Sequence, residues 1–110
     1  MTIGDMLISQ NKLNEAEPYF RDLVRVSPTN LAGYDKLAYL FFLEKDFSRS
    51  TGILRKAIAA MPQNPQPYIS LAKIYHNMKN NDSAAILLKT ALSVNPGNEE
   101  AKKYLHALGQ

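Results

Sequence analysis

The chain has 110 residues, 13 basic and 10 acidic side chains, a formal net charge of +3 and no cysteine. That length supports one domain, 1–110, with its own core, and the lack of cysteine excludes disulfides and thiolate metal sites. No apolar run approaches the roughly 18 residues of a membrane span, and Met1-Thr2-Ile3-Gly4-Asp5 lacks the basic start of a signal peptide, so a cytoplasmic protein with no membrane partner is expected.

The first segment, residues 1–30, carries Ile3, Gly4, Leu7, Ala16, Phe20 and Leu23 and closes on Pro28. Residues 31–64 place Tyr34, Leu37, Ala38, Leu40 and Phe41 ahead of Ser50, Leu54, Ala57, Ile58 and Ala60. Residues 65–98 repeat the order 34 positions later with Tyr68, Leu71, Ala72, Ile74 and Tyr75, then Ala84, Leu88, Ala91, Leu92 and Val94. Pro28, Pro62 and Pro96 stand 34 residues apart, each followed two residues on by Asn30, Asn64 or Asn98. A fixed period in this range means that one supersecondary unit recurs and that neighbouring units cover each other's apolar faces.

Within each half-unit the apolar offsets are three, four and seven, the period of one helix face. Each unit therefore reads as helix, short turn, helix, with Ala38, Ala57, Ala72 and Ala91 where two backbones must approach. The asparagines are expected N-caps, since an Asn side chain accepts from a first-turn amide. Pro65 fits a first helical position, and each closing proline ends the helix before it. Pro18 is tolerable if its helix is capped near Asn14. Residues 99–110 form one further, capping helix, with Glu99 and Glu100 at its positive end.

Charge is uneven along the chain. Residues 1–44 hold four basic and six acidic side chains, and residues 45–93 hold seven basic and two acidic. No nucleic-acid motif accompanies Lys45, Arg49, Arg55, Lys56, Lys73, Lys79 and Lys89, so they read as solvated helix faces. His76 and His106 have no carboxylate at ligand spacing. Ser9, Ser70 and Ser83 lack an elbow or triad context, and the five glycines are scattered. No catalytic residue, metal site or cofactor is expected, and the chain reads as no enzyme.

Together these residues resemble the tetratricopeptide repeat (TPR) family, whose pattern is filled by Tyr34, Leu37, Ala38, Phe41, Ser50, Leu54, Ala57 and Pro62. Tyr68, Leu71, Ala72, Tyr75, Ala84, Leu88, Ala91 and Pro96 fill it again. Residues 1–30 supply a truncated copy without its leading aromatic. Asn11, Lys45 and Lys79 replace the glycine common at the inter-helix turn. The resemblance implies an all-α, right-handed superhelical solenoid of antiparallel helix pairs, about three units plus the capping helix. It also implies a non-catalytic scaffold for protein–protein interaction, whose first helices line a concave peptide groove.

The side chains expected to face that groove are Ala32, Asp35, Lys36, Tyr39, Phe42 and Leu43, then Gln66, Ile69, Ser70, Lys73, His76 and Asn77. Asp5, Ile8 and Ser9 precede them, and Lys103 or Tyr104 follow. Lys36, Tyr39, Phe42, Leu43, Ile69, Lys73, His76 and Asn77 are the candidate contacts, with aromatic anchors beside lysines suiting a peptide that has an apolar residue and a carboxylate. The competing reading has Phe42 and Leu43 packing on the turn or the next repeat, and Tyr39 is open between anchor and core.

Relatives that clamp a chaperone's C-terminal carboxylate use Lys and Asn on the first helix, Asn on the second, and Lys with Arg on the third. The matching positions here hold Met1, Asp5, Lys36, Gln66 and Ser70, or, one repeat on, Asp35, Tyr39, Ser70, Glu100 and Tyr104. Neither set is such a clamp. Met1 falls inside the opening helix of its repeat, which implies either a piece of a longer protein or completion by a second copy. The N-terminal hairpin is then expected to expose apolar side chains such as Leu7, Tyr19 or Phe20 unless something covers them. The alternative function is therefore an oligomerisation or spacer module, or an accessory to a catalytic domain outside this chain.

Overall fold

The asparagines and prolines read from the sequence fall between helices in the computed structural model, which describes residue 8 and residues 12–109. Six helices follow one another within the described residues 12–109: α1 Leu13–Val26, α2 Leu31–Leu43, α3 Phe47–Ala60, α4 Gln66–Asn77, α5 Asn81–Val94 and α6 Glu99–Ala107. No strand occurs among the described residues. Ile3, Gly4, Asp5, Leu7, Ser9 and Asn11 of the first copy lie outside them.

Asn30 and Asn98 are N-caps, accepting from Ala32 N at 3.0 Å and Ala101 N at 2.9 Å. Asn64 accepts from Gln66 N at 3.0 Å, but Pro65 is the capping residue and α4 starts one position later than expected. Two second helices carry caps that the period did not mark. Asp46 accepts from Arg49 N at 3.2 Å and Asn80 from Ser83 N at 3.2 Å. Pro18 differs from expectation. Helix α1 begins at Leu13 behind Lys12, which makes no side-chain cap, so Pro18 lies inside the helix, where its ring removes the amide that would bond the Asn14 carbonyl.

The α2–α3 and α4–α5 turns share one solution. Lys45 and Lys79 take the left-handed conformation, with φ of 62° and 63°. Asp46 N donates to Phe41 O at 2.8 Å and Asn80 N to Tyr75 O at 2.8 Å. These are the wide closures of a helix C-terminus that normally calls for glycine, and the tight ones run from Lys45 N to Phe42 O at 3.0 Å and from Lys79 N to His76 O at 2.9 Å.

The chain packs as two compact units, Met1–Ala57 and Ile58–Gln110, with the boundary inside α3. In the first unit Phe20, Tyr34, Leu37, Ala38, Leu40, Phe41 and Leu54 are buried, each large side chain contributing about 1.5–3 kcal/mol. Helices α1 and α2 pack most closely at Gly33. A Cβ there would stand 3.0 Å from Leu23 Cβ and 3.1 Å from the Val24 backbone nitrogen. Ser50 is buried, and its hydroxyl donates to the Ala38 carbonyl at 2.8 Å, a bond between α3 and α2. The expected exposure of Phe20 is corrected: the ring is 0% exposed, and the Lys36 ammonium sits 6.0 Å from its centroid.

In the second unit Ile69, Ala72, Ala84, Leu88, Ala91 and Ala101 form the core, with Tyr68, Tyr75, Leu92, Tyr104 and Leu105 packed on it. Helix α5 touches both α4 and α6. The alanines on all three helices are what let them approach. Tyr68 repeats the position of Tyr34, and the hydroxyl of each reaches a proline carbonyl six residues earlier, Tyr34 to Pro28 at 2.7 Å and Tyr68 to Pro62 at 3.5 Å.

Candidate functional site

In the first unit the core takes Tyr34, Leu37, Ala38 and Phe41 of α2, which leaves Ala32, Lys36, Tyr39 and Leu43 along another face of the same helix. Tyr39 is 51% exposed and Leu43 38%. Lys36 bends over Phe20. Phe42 is half-buried and its ring lies 5.5 Å from that of Phe47, tilted by 59°, so it packs across the α2–α3 turn.

In the second unit Lys73, His76 and Asn77 are exposed on α4. Ile69 is not with them: it is 1% exposed and belongs to the core, because α5 and α6 close over the side of α4 that it occupies. The exposed α4 residues meet α6. Lys73 Nζ pairs with Glu100 Oε2 at 3.0 Å, and His76 Nδ1 lies 2.7 Å from the Tyr104 hydroxyl, with the two rings edge to face at 5.5 Å. Burial pushes the Tyr104 phenol above its ordinary value, and the charge of Lys73 pulls the other way. The phenol therefore keeps its proton near neutrality.

Beside this pair lies a recess of about 620 Å³ lined by His76, Glu100, Lys103, Tyr104 and Ala107. Its walls are a tyrosine ring, an alanine and the stem of a lysine, with charge at the rim. The recess is open, so an apolar side chain resting in it loses water on the side that meets Tyr104 and Ala107, and polar groups of its backbone can meet the rim.

A tetratricopeptide repeat family model matches residues 41–108, and a second one matches residues 1–30. The chain belongs to the tetratricopeptide repeat family. Comparison with curated proteins by sequence finds no match. Solved tetratricopeptide structures share the fold. The N-terminal domain of stress-induced protein-1 (STI-1) from C. elegans superposes with a TM-score of 0.72 at 16% identity, over 98% of this chain and 90% of that one. The first TPR of Spaghetti (RPAP3), bound to the HSP90 peptide SRMEEVD, gives 0.69 at 20% identity over 97% and 85%. YrrB, a TPR protein with an unusual peptide-binding site, gives 0.70 at 17% identity; the match covers 98% of this chain and 54% of YrrB.

Tetratricopeptide domains are protein-interaction modules, and the residues that line the recess here obey the repeat. Moving Gln66, Ile69, Ser70 and Lys73 forward by the 34-residue period lands on Glu100, Lys103, Tyr104 and Ala107, the four α6 residues of the recess. Lys103 and Tyr104 are expected from sequence; Glu100 and Ala107 were legible by the same shift. The Lys73–Glu100 and His76–Tyr104 pairs were not, because pairing depends on rotamers that spacing does not set. No helix of the described residues is long and apolar enough to cross a membrane, and none of them form a group of three metal-ligating side chains.

Proposed function

We propose that this chain is a non-catalytic module that receives a segment of a partner protein on the first helices of its pairs. In the second unit the contact surface is Lys73, His76 and Asn77 of α4 with Lys103, Tyr104 and Ala107 of α6. In the first unit it is Lys36, Tyr39, Phe42 and Leu43 of α2. The observation that carries the reading is the recess at the α4–α6 pair, a concave apolar surface with a few polar groups around it. That Spaghetti's TPR holds a peptide supports a peptide ligand. A chaperone-tail carboxylate is not the ligand proposed, since the positions for a clamp carry one lysine, Lys36, in one register and no basic residue in the other.

The test is capture of partners from the source organism by the wild-type chain and by Ala107→Arg, which fills the recess from an exposed helical site. Proteins held by the wild type and lost by the variant, with an unchanged helical spectrum, support the recess. Equal capture by both removes it.

A second reading, self-association through the first unit, is favoured by one stripe on α1. Tyr19, Leu23 and Val26 share a helix face and are 46%, 39% and 70% exposed. Light scattering over a concentration series tests it: a mass that rises for the wild type and not for Val26→Glu supports it, and a constant monomer mass excludes it.

A further inference from the structure

The basic excess of the middle of the chain has a counterpart in the first unit, away from the α2 face described above. A recess of about 360 Å³ there is lined by Arg21, Phe41, Arg49, Gly52, Ile53 and Lys56. A smaller one, about 150 Å³, shares Arg21, Ile53 and Lys56 and adds Arg25. Two helices supply the cations: α1 gives Arg21 and Arg25, and α3 gives Arg49 and Lys56, while Phe41 of α2 forms the floor.

The two arginines that flank the floor are held alike. The guanidinium carbons of Arg21 and Arg49 each lie 5.7 Å from the Phe41 ring centroid. Each is anchored through Nε to a carboxylate of its own helix or cap: Arg21 to Glu17 at 2.9 Å, Arg49 to Asp46 at 3.4 Å. A guanidinium has five N–H donors in a rigid fork. Pairing through Nε beside the ring leaves the terminal NH2 groups of both arginines to bind something else. Lys56 has no carboxylate within ion-pair distance among the described residues. Gly52 completes the recess, because a Cβ built on it would have nothing within 4 Å, so the wall at that point is open backbone.

We infer that this recess is an oxyanion site of the phosphate class, with Arg21 and Arg49 as two oriented forks and Lys56 as a point charge. Planar forks match the oxygens of a phosphate, and a lysine adds charge without demanding geometry. The site is independent of the recess at α6 and of the peptide reading. Inorganic phosphate and a phosphorylated side chain present the same group, so both are probed.

The experiment is an amide chemical-shift titration of the full chain with sodium phosphate, against sodium chloride at equal ionic strength. N-acetyl-O-phosphoserine amide forms the second arm. Saturable shifts at Gly52 and Ile53, weakened about tenfold or more in Arg21→Gln and Arg49→Gln, are expected. Because those arginines also lie over Phe41, Lys56→Gln is the second variant: it too weakens binding while Lys73→Gln does not. Tighter binding of the phosphoserine arm assigns the site to a modified protein, and tighter binding of inorganic phosphate assigns it to the free ion. Shifts that match the chloride control in both arms, or that persist unchanged in Lys56→Gln and Arg49→Gln, overturn the site.

Discussion

The Tyr34 hydroxyl donates a 2.7 Å hydrogen bond to the Pro28 carbonyl six residues earlier. The proline ends one repeat and the tyrosine opens the next helix's buried face, so the bond ties the turn to the core it precedes. One period later Tyr68 approaches the Pro62 carbonyl at 3.5 Å on an exposed path. The third proline has no such partner, since Lys102 occupies the matching place six residues after Pro96. Tyr34→Phe should cost about 0.5–1.5 kcal/mol, because the carbonyl loses a partner in a partly buried site. Tyr68→Phe should cost less, since 3.5 Å is the weak end of such bonds. Urea unfolding of both variants measures the difference, and equal losses would show that the tie does not depend on burial.

Gly33 is required by proximity and not by its backbone angles. It lies inside α2, where alanine is intrinsically better by about 1 kcal/mol. Yet a Cβ would meet Leu23 Cβ at 3.0 Å and the backbone of Val24 and Leu23 at 3.1 and 3.2 Å, and backbone atoms cannot rotate away. Gly33→Ala should therefore destabilise by about 1–3 kcal/mol despite its propensity. Gly52→Ala, on an open face of α3, should stabilise by up to about 1 kcal/mol. The pair compared by thermal unfolding separates packing from propensity; a stabilising Gly33→Ala would mean that α1 can recede without loss.

Helix positions, their order and the family were legible because they rest on burial, and burial repeats with the period. Tyr34, Leu37, Ala38 and Phe41 are core residues, and so are Leu71, Ala72, Leu88 and Ala91. What escaped was of two kinds. Ile69 stands where Asp35 stands one period earlier, so the repeat gives both the same place on their helices, but within its own unit Ile69 is packed among residues of α5 and α6, whereas Asp35 is half-exposed. Phe20 is buried, and the Lys36 ammonium lies 6.0 Å from its ring centroid, a contact between residues 16 apart that no helical offset encodes. The N-caps of α3 and α5, Asp46 and Asn80, were hidden because the two are chemically different and so break the repeat.

Lys45 and Lys79 carry a cost that the sequence leaves unrelieved. A left-handed L-residue is less favourable by about 1–2 kcal/mol, and both lysines sit at φ near 62–63°. Glycine removes that cost but loses about 0.4–1 kcal/mol through the extra freedom of the unfolded chain. Lys45→Gly and Lys79→Gly should each stabilise by up to about 1 kcal/mol, and the two together should add, since the turns are separate. Denaturant midpoints decide it: a fall in both would mean that the lysine side chains stabilise the turns by more than the left-handed strain.

The His76–Tyr104 contact makes an alkaline prediction whose sign follows from burial. The phenol of Tyr104 is raised above its ordinary 10.0 by burial, with Lys73 opposing, so the folded state holds that proton more tightly than the unfolded state does. Its contribution is complete below pH 10.0 and is lost as pH climbs through the higher folded value. In that window the phenolate can only accept across its 2.7 Å contact with His76 Nδ1. Tyr104→Phe removes both effects: the variant should be slightly less stable at neutral pH, by the loss of one exposed hydrogen bond, and should lose stability less steeply above pH 10.0. Unfolding free energies from pH 8 upwards measure the two slopes. Parallel slopes would show that Tyr104 titrates alike in both states and that the recess wall is wetter than its packing implies.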